Sequence, residues 1–156
     1  MYTEADFQEI TQQKNKRMLL FFIPAALLLA GVVVSFIFRV KYLTMGLTVL
    51  LGAYAIFFWE MSIAPLIAYQ RHIDTALRGR TRSLTGAFKE IETTDVVREG
   101  VRYFPMLLNV GDMNDPEDDR LFYYDRNLPV PDWKTGDKLT VTAHDKAMTA
   151  WKYAET

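Results

Sequence analysis

Residues with the capacity for chemistry are few in this chain. His72 and His144 are the only histidines, cysteine is missing, and Glu60 is the one carboxylate within a long apolar stretch. Disulfides, thiolate metal sites and cysteine nucleophiles are therefore excluded. Neither histidine has a second metal ligand at a useful spacing, and His144 beside Asp145 is typical of a hairpin turn. Because no nucleophile elbow, phosphate-binding glycine loop or zincin motif is present, we expect neither catalysis nor a cofactor.

An acidic segment, "GDMNDPEDDR" at residues 111–120, offers hard oxygen ligands of the kind that calcium prefers. These are Asp112, Asn114, Asp115, Glu117, Asp118 and Asp119. Their spacing departs from that of an EF-hand, since Pro116 takes the third ligand slot and no glycine follows to make the turn. We expect a solvated loop, with a calcium site or a surface for a basic partner as the alternatives.

Two apolar runs surround the position of Glu60. Residues 18–38 contain no charged side chain, and a second run begins at Leu43 after the short loop "RVKY". Each is long enough to cross a hydrocarbon core of about 30 Å, and lipid requires both to be helical. We predict a transmembrane hairpin with spans at residues 18–38 and 43–62. A signal peptide is the alternative for the first run, but no A-x-A-like site follows it.

Glu60 falls near the inner edge of the second predicted span, where a carboxylate costs far less than at the bilayer centre. Its neighbour Trp59 and the later Tyr69 fit an interfacial aromatic belt. We interpret this segment as a membrane anchor, and the alternative is that Glu60 faces a polar partner or an ion path. The candidate interface and partner residues are Trp59, Glu60, Tyr69, Arg71, Arg78, Arg80 and Arg82.

Positive charges flank the hairpin unevenly. Those outside the two spans are Lys14, Lys16, Arg17, Arg71, Arg78, Arg80 and Arg82, whereas the loop between the spans carries Arg39 and Lys41. The positive-inside rule then places both termini in the cytoplasm of a cell with an inner membrane. The arginines after the second span would face anionic lipid headgroups.

Each predicted span has one face formed by small side chains. They are Ala26, Ala30 and Gly31 in the first span, and Gly46 and Gly52 in the second. Such faces allow close approach of another helix. They serve either packing within the hairpin or association with a second copy or a larger membrane protein.

From Ser83 onward the pattern is typical of strands separated by turns. We predict a small five-stranded antiparallel β-barrel, OB or SH3-like, because closure removes exposed edges. The chain then divides into an N-terminal cytoplasmic helix capped by Thr3 (1–17), the hairpin (18–69), a basic linker helix (70–82) and the barrel (83–156). The predicted core residues are Phe88, Ile91, Val101, Tyr103, Leu107, Val110, Leu139, Val141, Trp151 and Tyr153.

The order of a helical anchor and a cytoplasmic barrel ending in "WKTGDKLTVTAHDKAMTAWKYA" resembles the NfeD-like membrane proteins. The resemblance covers the architecture and this C-terminal segment, and the glycine-rich start of the family's barrel is reduced here to "LTGAF". It implies a non-catalytic barrel that works with a membrane partner, and it transfers no active-site residue.

Nucleic-acid binding is disfavoured by charge. Aromatic and basic residues of the kind that line OB-type platforms are present, namely Phe122, Tyr123, Tyr124, Arg126 and Trp133. However, residues 83–156 carry nine Lys/Arg against fourteen Asp/Glu, a net charge of −5, which opposes phosphate binding. We therefore expect a membrane protein that displays its barrel as an interaction or scaffolding module and forms oligomers, with an auxiliary subunit of a transporter or channel as the alternative.

Overall fold

Three long helical segments precede a β-sheet in the computed structural model, which describes residues 1–155. The helices are α1 (Glu4–Ile37), α2 (Lys41–Phe58) and α3 (Ala64–Arg78), with a π-helical turn (Trp59–Ile63) between α2 and α3. The strands are β1 (Arg82–Ile91), β2 (Val96–Arg98), β3 (Val101–Asn109), β4 (Asp119–Asp125), β5 (Lys138–His144) and β6 (Ala147–Tyr153), and a short 3-10 helix (Pro116–Asp118) precedes β4. Two compact units emerge, one of residues 8–68 and one of residues 1–7 with 69–155. The predicted four-segment division stays a prediction.

Helix α1 begins at a reciprocal cap. The Thr3 hydroxyl accepts a hydrogen bond from the Asp6 backbone N–H at 3.3 Å, and the Asp6 carboxylate accepts one from the Thr3 N–H at 2.7 Å. This arrangement satisfies donors that an uncapped helix would leave unpaired. Helix α1 runs from this cap through the first apolar run without a break.

The second apolar run contains the π-helical turn, which ends at Ile63, two residues before Pro65. Proline has no backbone N–H, so the carbonyl four residues before it loses its helical partner. The chain widens here, and the Ala64 N–H donates to the Trp59 carbonyl, five residues back. Helices α1 and α2, the latter continued to Arg78, are long and apolar enough to cross a membrane by length and composition.

The sheet has six strands in the order β1-β5-β6-β4-β3-β2, and β1 also pairs with β3. Five pairings are antiparallel, but β4 and β6 run parallel and share a single residue pair, Tyr123 with Ala147. The predicted closed barrel of five antiparallel strands is therefore wrong. The short β2 escaped prediction because a three-residue strand leaves almost no alternation, and the return of β6 beside β4 is a long-range contact that no local pattern encodes.

One side of the sheet encloses the hydrophobic core. Its buried members are Phe88, Met106, Leu108, Phe122, Tyr124, Trp133, Leu139, Val141, Ala143 and Met148. Several predicted core residues are buried, whereas Tyr153 is 54% exposed and Leu107 is only partly buried. In β3 the core side chains are Met106 and Leu108, opposite a register shift in β1 between Phe88 and Glu90. Strand β3 pairs with β4 without a shift, so Met106 and Leu108 share the core face and Leu107 points to the opposite face.

Gly86 is a position where β1 passes close to β3. A Cβ atom there would lie 2.4 Å from the Asn109 carbonyl oxygen and 3.0 Å from Leu108 Cγ. We expect Gly86→Ala to lower the free energy of unfolding by about 1–3 kcal/mol, because backbone rather than a flexible side chain would have to move. The neighbouring variant Thr85→Ala should change it by less than about 1 kcal/mol, because it removes only an exposed cross-strand hydrogen bond to Thr140. Urea denaturation of both variants checks this, and equal stabilities would contradict it.

Candidate functional site

A buried carboxylate, Asp125, lies at the end of β4. The residue is 0% exposed, and its Oδ1 accepts a hydrogen bond from the Asn127 N–H at 2.8 Å. Aspartate favours this turn because its side chain can bond the backbone two residues ahead. Burying a carboxylate is costly unless all of its lone pairs find donors. The remaining oxygen of Asp125 therefore needs partners from elsewhere in the fold.

Two tyrosines supply them. The hydroxyl of Tyr2 donates to Asp125 Oδ2 at 2.8 Å, and the hydroxyl of Tyr69 donates to the same oxygen at 2.7 Å. Tyr2 precedes α1, whereas Tyr69 lies on α3. The carboxylate therefore joins three segments that are far apart in the sequence, within the unit that contains the sheet.

His72 extends the network from the next turn of α3. Positions 69 and 72 are three residues apart, so both side chains project from one helix face. The imidazole Nε2 lies 2.8 Å from the Tyr2 hydroxyl, and Nδ1 lies 3.0 Å from the hydroxyl of Tyr103 on β3. The five side chains Tyr2, Tyr69, His72, Tyr103 and Asp125 are called the Asp125 network below.

The network assigns the tautomer of His72. A tyrosine hydroxyl has one proton, and that of Tyr2 is directed to Asp125, so the Tyr2 oxygen must accept from Nε2–H. In a neutral imidazole the other nitrogen is then an acceptor, and it accepts from the Tyr103 hydroxyl. Every one of these polar groups is satisfied only if His72 is neutral, with its proton on Nε2.

Burial also favours the neutral form of His72, because it lowers the pKa of the imidazole. The nearby His144 lowers this pKa further, whereas the negative charge of Asp125 raises it and partly opposes both effects. Burial, followed by the proximity of Asp125, raises the pKa values of Tyr2 and Tyr103 far above their ordinary range. Both tyrosines therefore remain donors at every physiological pH.

The interface residues predicted from the sequence have different surroundings in the structure. Trp59 and Glu60 lie in the π-helical turn and are exposed, whereas Tyr69 is part of the Asp125 network. Arg78 pairs with Glu4 at 3.0 Å and also with Asp74. The other three arginines, which are Arg71, Arg80 and Arg82, are exposed and pair with no carboxylate in residues 1–155.

The helix-packing candidates also divide. A Cβ atom on Gly31 would lie 3.3 Å from Leu47 Cδ1, so this glycine faces the second helix of the hairpin. The remaining candidates are exposed, namely Ala26, Ala30, Gly46 and Gly52. Near the loop, the hydroxyls of Ser35 and Thr44 are 3.0 Å apart and link the two helices.

Carboxylates of the acidic loop are used to build the loop itself. Asp112, Asp115 and Asp118 each accept a hydrogen bond from a backbone N–H of the same loop. Asp119 pairs with Lys89 at 2.6 Å, and this bond, with one from Asn109, lowers the pKa of Asp119. Within residues 1–155 no group of three or more His, Asp or Glu side chains is arranged to hold a metal ion.

The aromatic residues considered for nucleic-acid binding are placed differently. Phe122, Tyr124 and Trp133 belong to the hydrophobic core, and Arg98 covers the ring of Tyr123 at 4.5 Å. They therefore do not form an exposed stacking platform.

Sequence reasoning missed the Asp125 network. Its members are separated by up to 123 positions, and a hydrogen-bonded set of this kind has no fixed spacing. The available signal was the pair Tyr69 and His72, two polar aromatic residues on one helix face. Such a pair needs buried partners, but the sequence does not say which.

No protein-family model, curated protein or solved structure matches this chain. The resemblance to NfeD-like proteins therefore has no support from relatives. What the structure shares with that architecture is the order of elements, two long apolar helices followed by a β-sheet.

Proposed function

We propose that this chain is a small integral membrane protein, anchored by α1 and α2, whose sheet serves as an interaction or scaffolding module. The observation that carries this proposal is the surface of the two helices. Leu27 is 71% exposed, Phe36 is 74% exposed and Val49 is 72% exposed. Apolar surface of this extent is rarely left in water, and a hydrocarbon core would cover it.

The proposed orientation has both termini in the cytoplasm, with the protein in the inner membrane. It rests on the excess of positive charge outside the two spans. Arg71, Arg80 and Arg82 support it further, because they are exposed and pair with no carboxylate among residues 1–155. Each would gain about 1 kcal/mol from anionic headgroups near the membrane surface.

For the module itself we propose a partly open sheet of OB type. Its five strands would be β1, β3, β4, β5 and β6, and the sheet would be partly open between β4 and β6, which share only the pair Tyr123 and Ala147. An OB module is a partly open five-strand Greek-key arrangement, and β2 would be an addition at its edge. OB-type sheets are used for binding in known examples, which is compatible with the proposed scaffolding role.

Self-association is the proposed mode of action. Ala26, Ala30, Gly46 and Gly52 are exposed and would let helices of neighbouring copies approach closely. The second candidate function, an auxiliary subunit of a transporter or channel, is favoured by one observation. Glu60 is exposed within the π-helical turn, and such turns and carboxylates at membrane depth are both frequent at functional sites.

Purification in a mild detergent followed by native mass spectrometry separates the two functions. A dimer or ring of this chain alone would support self-association. A stoichiometric larger membrane protein would support the auxiliary subunit, and a monomer free of partners would contradict both.

The variant Glu60→Gln tests the role of this carboxylate. We expect the oligomeric state and the abundance to remain unchanged, because a charge near water needs no buried partner and exposed pairs contribute only about 0–1 kcal/mol. Native mass spectrometry of the wild type and the variant in one detergent measures this. Dissociation of the variant to monomers would instead show that Glu60 meets a polar group on a neighbouring helix, since loss of a buried pair costs about 3–5 kcal/mol.

A further inference from the structure

We propose that the Asp125 network is a pH-sensitive latch that holds the N-terminal segment, residues 1–7, on the sheet and releases it when His72 becomes protonated. The proposal goes beyond the scaffolding role and rests on the geometry within one compact unit. Tyr2 is the hydrogen-bonded link between this segment and both Asp125 and His72. The Tyr2 ring also packs edge-on against the His72 ring, with centroids 5.2 Å apart, so release of the segment would open the imidazole to water and favour its charged form.

Protonation of His72 would disrupt the hydrogen bond between its Nδ1 atom and the Tyr103 hydroxyl. An imidazolium has a proton on both nitrogens, so Nδ1 would become a donor toward Tyr103. The Tyr103 hydroxyl now donates to Nδ1 and would have to turn its proton elsewhere. Because Tyr103 is buried, little water is available to receive it, and a hydrogen bond is lost.

The groups that face His72 come from every element packed around it. Tyr69 lies on the same helix, Tyr2 comes from the N-terminal segment, Tyr103 from β3 and Asp125 from β4. His144, at the end of β5, acts on His72 through its charge. Asp125 is the one carboxylate in this set, and it accepts hydrogen bonds from Tyr2 and Tyr69. The imidazole of His72 is the group on which the latch depends, and its lowered pKa means that it gains its charge only as the pH falls below the ordinary value of about 6.5.

The direction of the effect follows from linkage. In the closed latch the pKa of His72 is lowered from its ordinary value of about 6.5, whereas in an open latch the exposed imidazole regains that value. The open form therefore binds more protons between the lower pKa and about pH 6.5, and acid favours it. Closure is complete above about pH 6.5 and weakens as the pH falls. Each unit by which closure lowers the pKa allows a tenfold rise in the ratio of open to closed protein.

Spin labels on the full chain can report the latch. The sequence has no cysteine, so Ala5→Cys and Val97→Cys, both at exposed positions, can carry labels on the N-terminal segment and on β2. Pulsed electron paramagnetic resonance in detergent micelles should give one narrow distance at pH 7.5. At pH 5 we expect a second, broad population that disappears when the pH is raised again.

Two histidine variants identify the sensor. His144→Gln, the matched control, should keep the pH response, whereas His72→Gln should abolish it, with the segment either always held or always released. A pH response that persists in His72→Gln, or none in the wild type, would overturn the proposal.

Nuclear magnetic resonance of the wild-type protein tests the latch without any histidine substitution, so its result does not depend on whether a variant folds. In wild-type protein labelled with ¹⁵N-histidine, the His72 signals at pH 7.5 should be those of a neutral ring protonated at Nε2. Their titration should coincide with the distance change. A proton on Nδ1, or a distance change at a different pH from the titration, would also overturn the latch.

Discussion

Replacing Asp125 by alanine is expected to lower the free energy of unfolding of the sheet-containing unit by about 3–5 kcal/mol. The substitution removes the acceptor for Tyr2, Tyr69 and the Asn127 N–H together. Each donor would be left without a partner in a buried place, and an unpaired buried donor costs about 1–3 kcal/mol. Since domains of this size are stable by only about 5–15 kcal/mol, the loss is a large fraction of the total.

Asp125→Asn separates charge from shape. The amide oxygen can still accept from both tyrosines, but its NH₂ group then opposes the Asn127 N–H. We expect an intermediate loss of about 1–3 kcal/mol. Asp132→Ala, at an exposed position, is the control and should change stability by less than about 0.5 kcal/mol.

Chemical denaturation in micelles, followed by tryptophan fluorescence, measures these losses. In a Trp59→Phe background the remaining indoles, Trp133 and Trp151, both report on the sheet. If Asp125→Ala were as stable as Asp132→Ala, Asp125 would not be the centre of the network.

The elements that the sequence predicts best are those with local signals. The two apolar runs, the Thr3 cap and the turn at Asp145 each depend on neighbouring residues, and the structure contains all three. The turn between β2 and β3 has positive φ at Glu99 and Gly100, and glycine is the local signal for such a turn.

Features that depend on distant contacts could not be predicted. The bulge in β1 shifts its pairing with β3, and the single pair between Tyr123 and Ala147 makes the sheet mixed instead of purely antiparallel. Neither leaves a trace in local alternation. The Asp125 network belongs to the same class, because Tyr2 and Asp125 meet only once the sheet has formed.

His72 shows how a correct observation supported too narrow a conclusion. The absence of metal ligands near it in the sequence argued against a metal site, and it said nothing about a hydrogen-bonded role. Tyr69, three residues before His72 on α3, donates to Asp125 at the end of β4, and Tyr2 links this carboxylate to His72.

The most direct test of the membrane proposal is cysteine accessibility in intact cells. The chain contains no cysteine, so single cysteines at Thr3, Tyr42 and Glu155 can be compared without background. Tyr42 lies at the start of α2, beside the loop between the two predicted spans. An impermeant thiol reagent should label the cysteine at position 42 and leave those at positions 3 and 155 unlabelled until the cells are opened. Labelling of position 155 in intact cells, with position 42 protected, would contradict the orientation, and equal protection of all three with recovery in the soluble fraction would contradict the membrane anchor itself.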